Sequence, residues 1–116
     1  MAKKKKKRKA PKRTYSVYVV ELKKAVLEEK KFAKENPDCD PTMACLYVGM
    51  TGLDPDQRYR NHKDDIKANR FVLEYGKYLR RKMYQKLNPM TYDEACRMEV
   101  ELAEKLRRKG HAVWQK

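Results

Sequence analysis

The chain contains no apolar run that approaches the roughly 20 residues needed by a membrane-spanning helix. Its N-terminal segment has no apolar stretch of the kind that a secretory signal carries. The three cysteines, Cys39, Cys45 and Cys96, lack metal-site spacing, which disfavours zinc and is typical of reduced thiols. These absences predict a soluble cytoplasmic protein that does not bind a membrane.

The sequence also lacks a heptad repeat and a long apolar surface pattern. A protein–protein scaffold therefore has little support, and no obligate protein partner is expected. No segment has the pattern of a helix-turn-helix, a zinc finger or an RNP motif. We therefore do not expect an additional domain that recognises a specific nucleic-acid sequence.

Positive charge is abundant and unevenly distributed. Residues 1–13 contain nine Lys and Arg residues and no acid, so the formal charge of +14 leaves +5 for residues 14–116. This predicts a flexible polybasic tail at 1–13, followed by one folded domain over 14–116, where patterned apolar residues begin. Such charge favours phosphate-rich partners, because neutralising phosphates releases counterions. The alternative is a lysine run that only improves solubility. The predicted nucleic-acid contacts of the tail are Lys3, Lys4, Lys5, Lys6, Lys7, Arg8, Lys9, Lys12 and Arg13.

Two segments, 14–22 and Cys45–Thr51, are predicted strands because β-branched and aromatic residues recur in both. If they pair antiparallel, Tyr18 and Tyr47 present their hydroxyls on one face, where Gly49 leaves room for a backbone or a phosphate. The alternative for both tyrosines is ordinary core packing.

The remaining pattern is mainly helical. We expect a helix over 23–35, a helix from Pro55 to about Ile66 with Asp54 as N-cap, and a short helix over 68–75. Further expectations are a left-handed Gly76 cap and a long helix from a Thr91–Glu94 capping box to about Lys109. Residues 77–87 fit either a short strand or a helix, and we favour a strand over about 77–81. Residues 112–114 are expected to be extended.

Polar side chains on two of these helices are unusual. Glu99 falls inside the apolar stripe of the last helix, where a carboxylate is costly unless it is paired or coordinated. An internal ion pair and a metal site both remain open. Arg58 and His62 share one face of an earlier helix, where Arg suits a phosphate and His can hold or move a proton. The alternative for that face is ordinary solvated charge.

These motifs in this order resemble the GIY-YIG nuclease superfamily, in its small single-domain bacterial form. The resemblance rests on Ser16-Val17-Tyr18, Tyr47-Val48-Gly49, Arg58-x-x-x-His62 and Ala95-x-x-x-Glu99. It implies an α+β fold with a three-stranded antiparallel sheet flanked by helices. Serine stands in place of the first glycine of the family pattern. Residues 23–44 become an insertion between the first two strands.

The resemblance also implies an endonuclease that hydrolyses phosphodiesters, with DNA favoured over RNA, using one Mg²⁺ or Mn²⁺ ion. Tyr18 is then the general base supported by Tyr47, Arg58 binds the phosphate, and His62 orients the nucleophile or assists the proton transfer. Glu99 holds the metal, and Gln115 takes the place of a late asparagine. The alternative function is a non-catalytic basic protein that binds ribosomal or other structured RNA.

Overall fold

The computed structural model describes residues 12–116. These residues form four β-strands and four α-helices, with short 3₁₀ turns between some of them. The strands are β1 (Ser16–Leu22), β2 (Cys45–Thr51), β3 (Gly76–Leu79) and β4 (Ala112–Trp114). The helices are α1 (Lys30–Glu35), α2 (Pro55–Lys63), α3 (Arg70–Tyr75) and α4 (Tyr92–Arg108). In this part of the chain no helix combines the length and apolarity that crossing a membrane requires.

The strands form one mixed sheet with the order β3-β1-β2-β4. Strand β1 pairs antiparallel with β2 and with β3, whereas β4 pairs parallel with β2. The α+β class is confirmed, but the prediction of three strands is wrong. The extended residues 112–114 add a fourth strand, because α4 carries the chain back across the sheet before β4 begins.

Helices cover both faces of the sheet. Side chains from α1, α2 and α3 meet the face that carries Tyr18, Tyr47 and Trp114. Helix α4 packs against β1, β2 and β4 and covers the opposite face. On that face Val17, Val19, Leu46, Val48 and Val113 are fully buried. The first face, which includes buried polar groups, is therefore the one that can carry a site.

Asparagine side chains complete the sheet at two edges. The amide of Asn36 accepts from the backbone N–H of Val113 (2.8 Å) and donates to its carbonyl (3.1 Å), as a neighbouring strand would. The amide of Asn88 makes the same pair of bonds with Val17, at 2.9 and 2.8 Å. Each asparagine satisfies backbone groups that no neighbouring strand reaches, at the edge strand β4 and at Val17 beyond the end of β3. Since Asn36 belongs to the segment between β1 and β2, that segment anchors β4.

The helix expected over 23–35 is divided into a 3₁₀ turn, Lys24–Glu28, and the short α1. Helix α2 begins as expected after Asp54, although the Asp54 side chain makes no capping hydrogen bond. It ends at Lys63 rather than near Ile66. Asp65 and Lys67 have φ angles of 61° and 50°, in the left-handed region, and such residues cannot continue a right-handed helix.

Gly76 was expected to be a left-handed helix cap, and this prediction is wrong. Its φ of −63° and ψ of 129° are extended, and it begins β3. The glycine is required by contact instead. A Cβ at this position would lie 2.5 Å from the carbonyl oxygen of Val72, a backbone atom that cannot move away.

Gly76→Ala is therefore expected to destabilise the fold through the clash of its Cβ with the Val72 carbonyl oxygen. Backbone strain does not contribute, since alanine adopts the φ and ψ angles of Gly76 freely. We expect a loss of about 2 kcal/mol in the free energy of unfolding, typical of overpacking, measured by urea denaturation. Gly52→Ala is the matched control, because its Cβ would be 3.2 Å from the ring of Tyr15, a half-buried side chain that can shift. Equal losses in the two variants would contradict this account of Gly76.

Candidate active site

Tyr18 and Tyr47 lie on the same face of the sheet, as the antiparallel pairing requires. Tyr18 stands opposite Gly49 in the register of β1 and β2, and Tyr47 stands opposite Val20. The tyrosine ring centroids are 6.0 Å apart, and the residues are 1% and 6% exposed. A Cβ on Gly49 would lie 2.8 Å from both rings. The space at Gly49 is therefore filled by the two rings, not left open for a phosphate.

His62 is fully buried behind Tyr18 and has both ring nitrogens in use. Its Nδ1 accepts the backbone N–H of Asn69 at 3.0 Å, and its Nε2 lies 2.8 Å from the hydroxyl oxygen of Tyr18. Because a backbone amide can only donate, Nδ1 carries no proton in this arrangement, so the neutral ring carries its proton on Nε2. His62 therefore donates to Tyr18, and neither nitrogen remains for water.

Asn69 is a residue that the sequence interpretation missed. It is the N-cap of α3, and its side-chain oxygen accepts from the backbone N–H groups of Phe71 and Val72. This capping holds the Asn69 backbone amide in place against His62. Asparagine directly before an apolar helical segment is the signal that could have identified it, because Asn is a preferred N-cap residue.

Burial controls the ionisation of these aromatic groups. It raises the pKa of Tyr18 far above its ordinary value, and Tyr47 raises it further, while the positive charge of Arg58 lowers it. The pKa of Tyr47 is also raised, first by burial. Burial and, secondarily, Arg58 lower the pKa of His62 to about 4. All three rings are thus neutral near pH 7 unless further positive charge acts on them.

Arg58 lies one helical turn before His62 on α2 and is half-buried. Its guanidinium donates to the carbonyl oxygens of Ile66 (3.3 Å) and Lys67 (2.9 Å). These residues belong to the connection that contains the two left-handed residues, so the irregular loop holds the guanidinium beside the tyrosines. A guanidinium has five N–H donors, and the two loop carbonyls leave some of them for an anion.

Glu99 on α4 is half-buried, and Gln115, directly after β4, donates from Nε2 to Glu99 Oε1 at 3.0 Å. Burial raises the pKa of Glu99, whereas Gln115 and the backbone amide of Met50 lower it. No Lys or Arg within residues 12–116 forms an ion pair with this carboxylate. The internal ion pair that the sequence left open is therefore not formed among these residues.

The donor set around Glu99 is small. Among the residues that the structure describes, no group of three or more His, Cys, Asp or Glu side chains could hold a metal ion. A single carboxylate is nevertheless a suitable ligand for Mg²⁺, which commonly keeps several waters and binds through one or two carboxylates and a substrate phosphate. The residues present thus fit a weakly held hydrated cation and do not fit an all-protein metal cage.

The structure brings all six residues predicted for the site of the folded domain to one region: Tyr18, Tyr47, Arg58, His62, Glu99 and Gln115. Of the nucleic-acid contacts predicted in the basic tail, positions 3–9 lie outside the described residues. Lys12 and Arg13 are exposed, and Arg13 Nη1 lies 3.3 Å from Glu94 Oε1.

The cluster combines two kinds of group. Neutral, hydrogen-bonded rings form its interior, and a half-buried guanidinium and carboxylate stand at its margin. Such an arrangement can bind a phosphate at the cation, accept a hydrated cation at the carboxylate, and exchange a proton at the tyrosine.

The two histidines provide a direct test of the inferred tautomer. His62 is expected to carry its neutral proton on Nε2, while His111, whose Nδ1 lies 2.9 Å from the carbonyl oxygen of Ala44, carries it on Nδ1. Long-range ¹H–¹⁵N correlation spectra at neutral pH distinguish the two forms. His111 is the internal control, and finding the same tautomer at both positions would contradict the assignment.

The lowered pKa of His62 also makes stability depend on pH. The folded protein protonates His62 at about pH 4 and the unfolded chain near pH 6.5, so as the pH falls the unfolded chain takes up the proton first. The stabilisation from His62 is therefore present above pH 6.5 and is lost towards pH 4, by about 3 kcal/mol. The stability difference between wild type and His62→Gln, measured by denaturation from pH 7 to pH 4, should narrow by this amount. A constant difference would contradict the pKa shift.

Comparison of the chain with known proteins adds no family assignment. No protein-family model matches it, and neither a curated protein nor a solved structure matches it. The resemblance to GIY-YIG nucleases thus stays a prediction from the order of the motifs, and the support for a function comes from the geometry of the cluster.

Proposed function

We propose that the domain is a metal-dependent endonuclease that hydrolyses phosphodiester bonds, with DNA as the expected substrate. The observation that carries the proposal is the convergence of Arg58, Glu99 and the His62–Tyr18 pair from three separate elements onto one region. A guanidinium, a carboxylate and a hydroxyl that can exchange a proton are the groups that phosphodiester hydrolysis uses.

Arg58 is the group that binds the phosphate. It lies at the margin of the cluster with donors remaining after its two loop contacts. In the transition state of hydrolysis, negative charge increases on the phosphate oxygens, and a fixed guanidinium stabilises that charge. Since the same charge lowers the pKa of Tyr18, Arg58 also favours ionisation of the tyrosine.

Tyr18 is the general base, which takes a proton from the attacking water onto its hydroxyl oxygen. Only the ionised phenolate can do this, and burial opposes ionisation. The N–H of His62, held towards Tyr18 by Asn69, donates to the same oxygen and stabilises the phenolate. His62 therefore positions and tunes Tyr18, and Tyr47 packs beside it.

Glu99 is the residue that would hold Mg²⁺ or Mn²⁺, with Gln115 fixing the carboxylate through one of its oxygens. A bound divalent ion supplies Lewis-acid stabilisation of the leaving oxygen. The half-buried position keeps the carboxylate close to Tyr47 while leaving it accessible from the margin of the cluster.

A second candidate is a non-catalytic nucleic-acid-binding protein in which the cluster is structural. The observation in its favour is that Tyr18 and His62 are 1% and 0% exposed. Buried rings that satisfy each other's hydrogen bonds are common in cores that carry no activity. In that case the basic tail and surface bind phosphates without cleavage.

Arg58→Ala is expected to reduce Mg²⁺-dependent cleavage of duplex or branched DNA about 100-fold, since it removes a transition-state contact to the phosphate. Single-turnover assays with saturating protein measure the rate. Arg60→Ala is the matched control, because Arg60 lies on the same helix, is exposed and contacts Gln57 through Nη2 at 3.0 Å. Equal rates in the two variants would contradict the role of Arg58.

Glu99→Gln is expected to abolish Mg²⁺-dependent cleavage, because the amide is a poor ligand for the cation, while preserving the fold, because the amide keeps the size of the side chain. Glu101→Gln, an exposed change on the same helix, should retain the wild-type rate and remain sensitive to EDTA. Cleavage by Glu99→Gln at the wild-type rate would remove Glu99 from the mechanism. Binding without cleavage by the wild type on duplex, branched and single-stranded DNA would favour the second candidate.

A further inference from the structure

A groove that the catalytic proposal does not use lies between the β1–β2 connection, α3 and β4. It has a volume of about 630 Å³, and its walls include the half-buried aromatic rings of Phe71 and Trp114. These rings are perpendicular, with centroids 4.8 Å apart, and Phe32 stacks against Trp114 from within the core. The groove therefore offers a rigid aromatic wall.

Exposed cations line the same groove. Lys30 and Lys31 come from α1, and neither forms an ion pair with any acid among residues 12–116. The acids on the rim include Glu29, whose carboxylate accepts the hydroxyl of Tyr75 at 2.6 Å. Arg70 is paired with Glu74 at 2.6 Å. The two lysines are thus the cations that remain for a ligand.

A third cation contacts the indole directly. The ammonium of Lys116 lies 5.0 Å from the ring centroid of Trp114, which shows that part of the ring face is open to a polar group. An exposed cation–π contact of this kind is weak, so a flat ligand can replace it.

The groove adjoins the catalytic cluster at three points. Trp114 pairs in parallel register with Tyr47, so both side chains lie on the same face of the sheet in neighbouring strands. Gln115, the next residue, donates to Glu99. Asn69, part of the groove wall, donates its backbone N–H to His62. A strand whose phosphate lies at Arg58 therefore has this groove beside it.

We propose that the groove binds an unpaired base of the substrate strand next to the cleaved phosphate, with the base stacked on the indole of Trp114 and its edge against Phe71. Aromatic walls with lysines at the rim match a base and its phosphate. Bases inside a duplex are stacked on their neighbours and cannot enter a pocket unless they are unpaired or flipped out. The inference rests on the proposed function and narrows it to substrates with a single-stranded or distorted site, such as branched DNA.

Trp114 is the single tryptophan of the chain, so its fluorescence reports on the groove without a label. The full chain is titrated in EDTA, where the proposed cleavage is off, with a short single-stranded oligodeoxynucleotide, a blunt duplex of equal length, the matching RNA strand and polyglutamate. We expect strong quenching and tighter binding with single strands than with the blunt duplex. Equal quenching by duplex, or quenching by polyglutamate, would overturn the proposal.

Phe71→Ala retains the fluorescent reporter and should weaken single-strand binding about tenfold, because it removes an aromatic contact to the base. Tyr78→Ala is the matched control, since Tyr78 is an exposed aromatic residue at 49% exposure on β3. An equal effect in both variants would overturn the proposal. Circular dichroism checks that Phe71→Ala is folded.

If Phe71→Ala does not fold, the exposed double variant Lys30→Gln/Lys31→Gln provides the test. Loss of two phosphate contacts should reduce the magnitude of the slope of log K against log salt concentration by about 1.4 for single-strand binding. An unchanged slope would overturn the proposal.

Cleavage assays separate this inference from the proposed function. Cleavage of DNA without quenching of the Trp114 fluorescence would overturn the proposal that the groove binds a base and would leave the proposed nuclease activity intact. Quenching by single strands without cleavage of any substrate would support the groove and overturn the nuclease.

Discussion

The hydrogen-bonded chain from the Asn69 backbone through His62 to Tyr18 is the constraint on which the rest of the site depends. A fully buried imidazole is tolerated only when both nitrogens have partners, because an unpaired buried polar group costs about 1–3 kcal/mol. Its partners come from β1 and from the start of α3. Satisfying one side chain therefore fixes α2 against the sheet and fixes α3 against α2.

The sheet determines where the charged groups of the site lie. Because β4 is short and parallel to β2, the chain leaves the sheet directly after Trp114, and Gln115 reaches Glu99 on the helix of the opposite layer. Strand β4 is itself held at its outer edge by Asn36. The segment between β1 and β2 thus supports one wall of the site from a distance, in addition to lining the groove beside Trp114.

Strands β1 and β2, the capping box of α4 and the shared face of Tyr18 and Tyr47 could be predicted from sequence, because alternation and capping are local signals. The place of Gln115 beside Glu99 was implied by the family resemblance and has no local signal in the sequence. The extended conformation of Gly76 could not be predicted, since a glycine directly after a helix is also the usual left-handed cap. Neither could the tautomer of His62, which depends on a backbone amide whose position exists only in the folded chain.

Burial divides the site into a neutral interior and a charged margin, and this division controls when Tyr18 can ionise. The raised pKa of Tyr18 and the lowered pKa of His62 have the same first cause, the removal of water around both rings. A proton leaves Tyr18 only when positive charge collects at the margin, where Arg58 already acts in that direction. Binding of a cation at Glu99 adds to the same field, whereas an approaching phosphate alone opposes it. In the proposed nuclease, Tyr18 would therefore become basic only when the positive charge of a bound cation outweighs the negative charge of the phosphate.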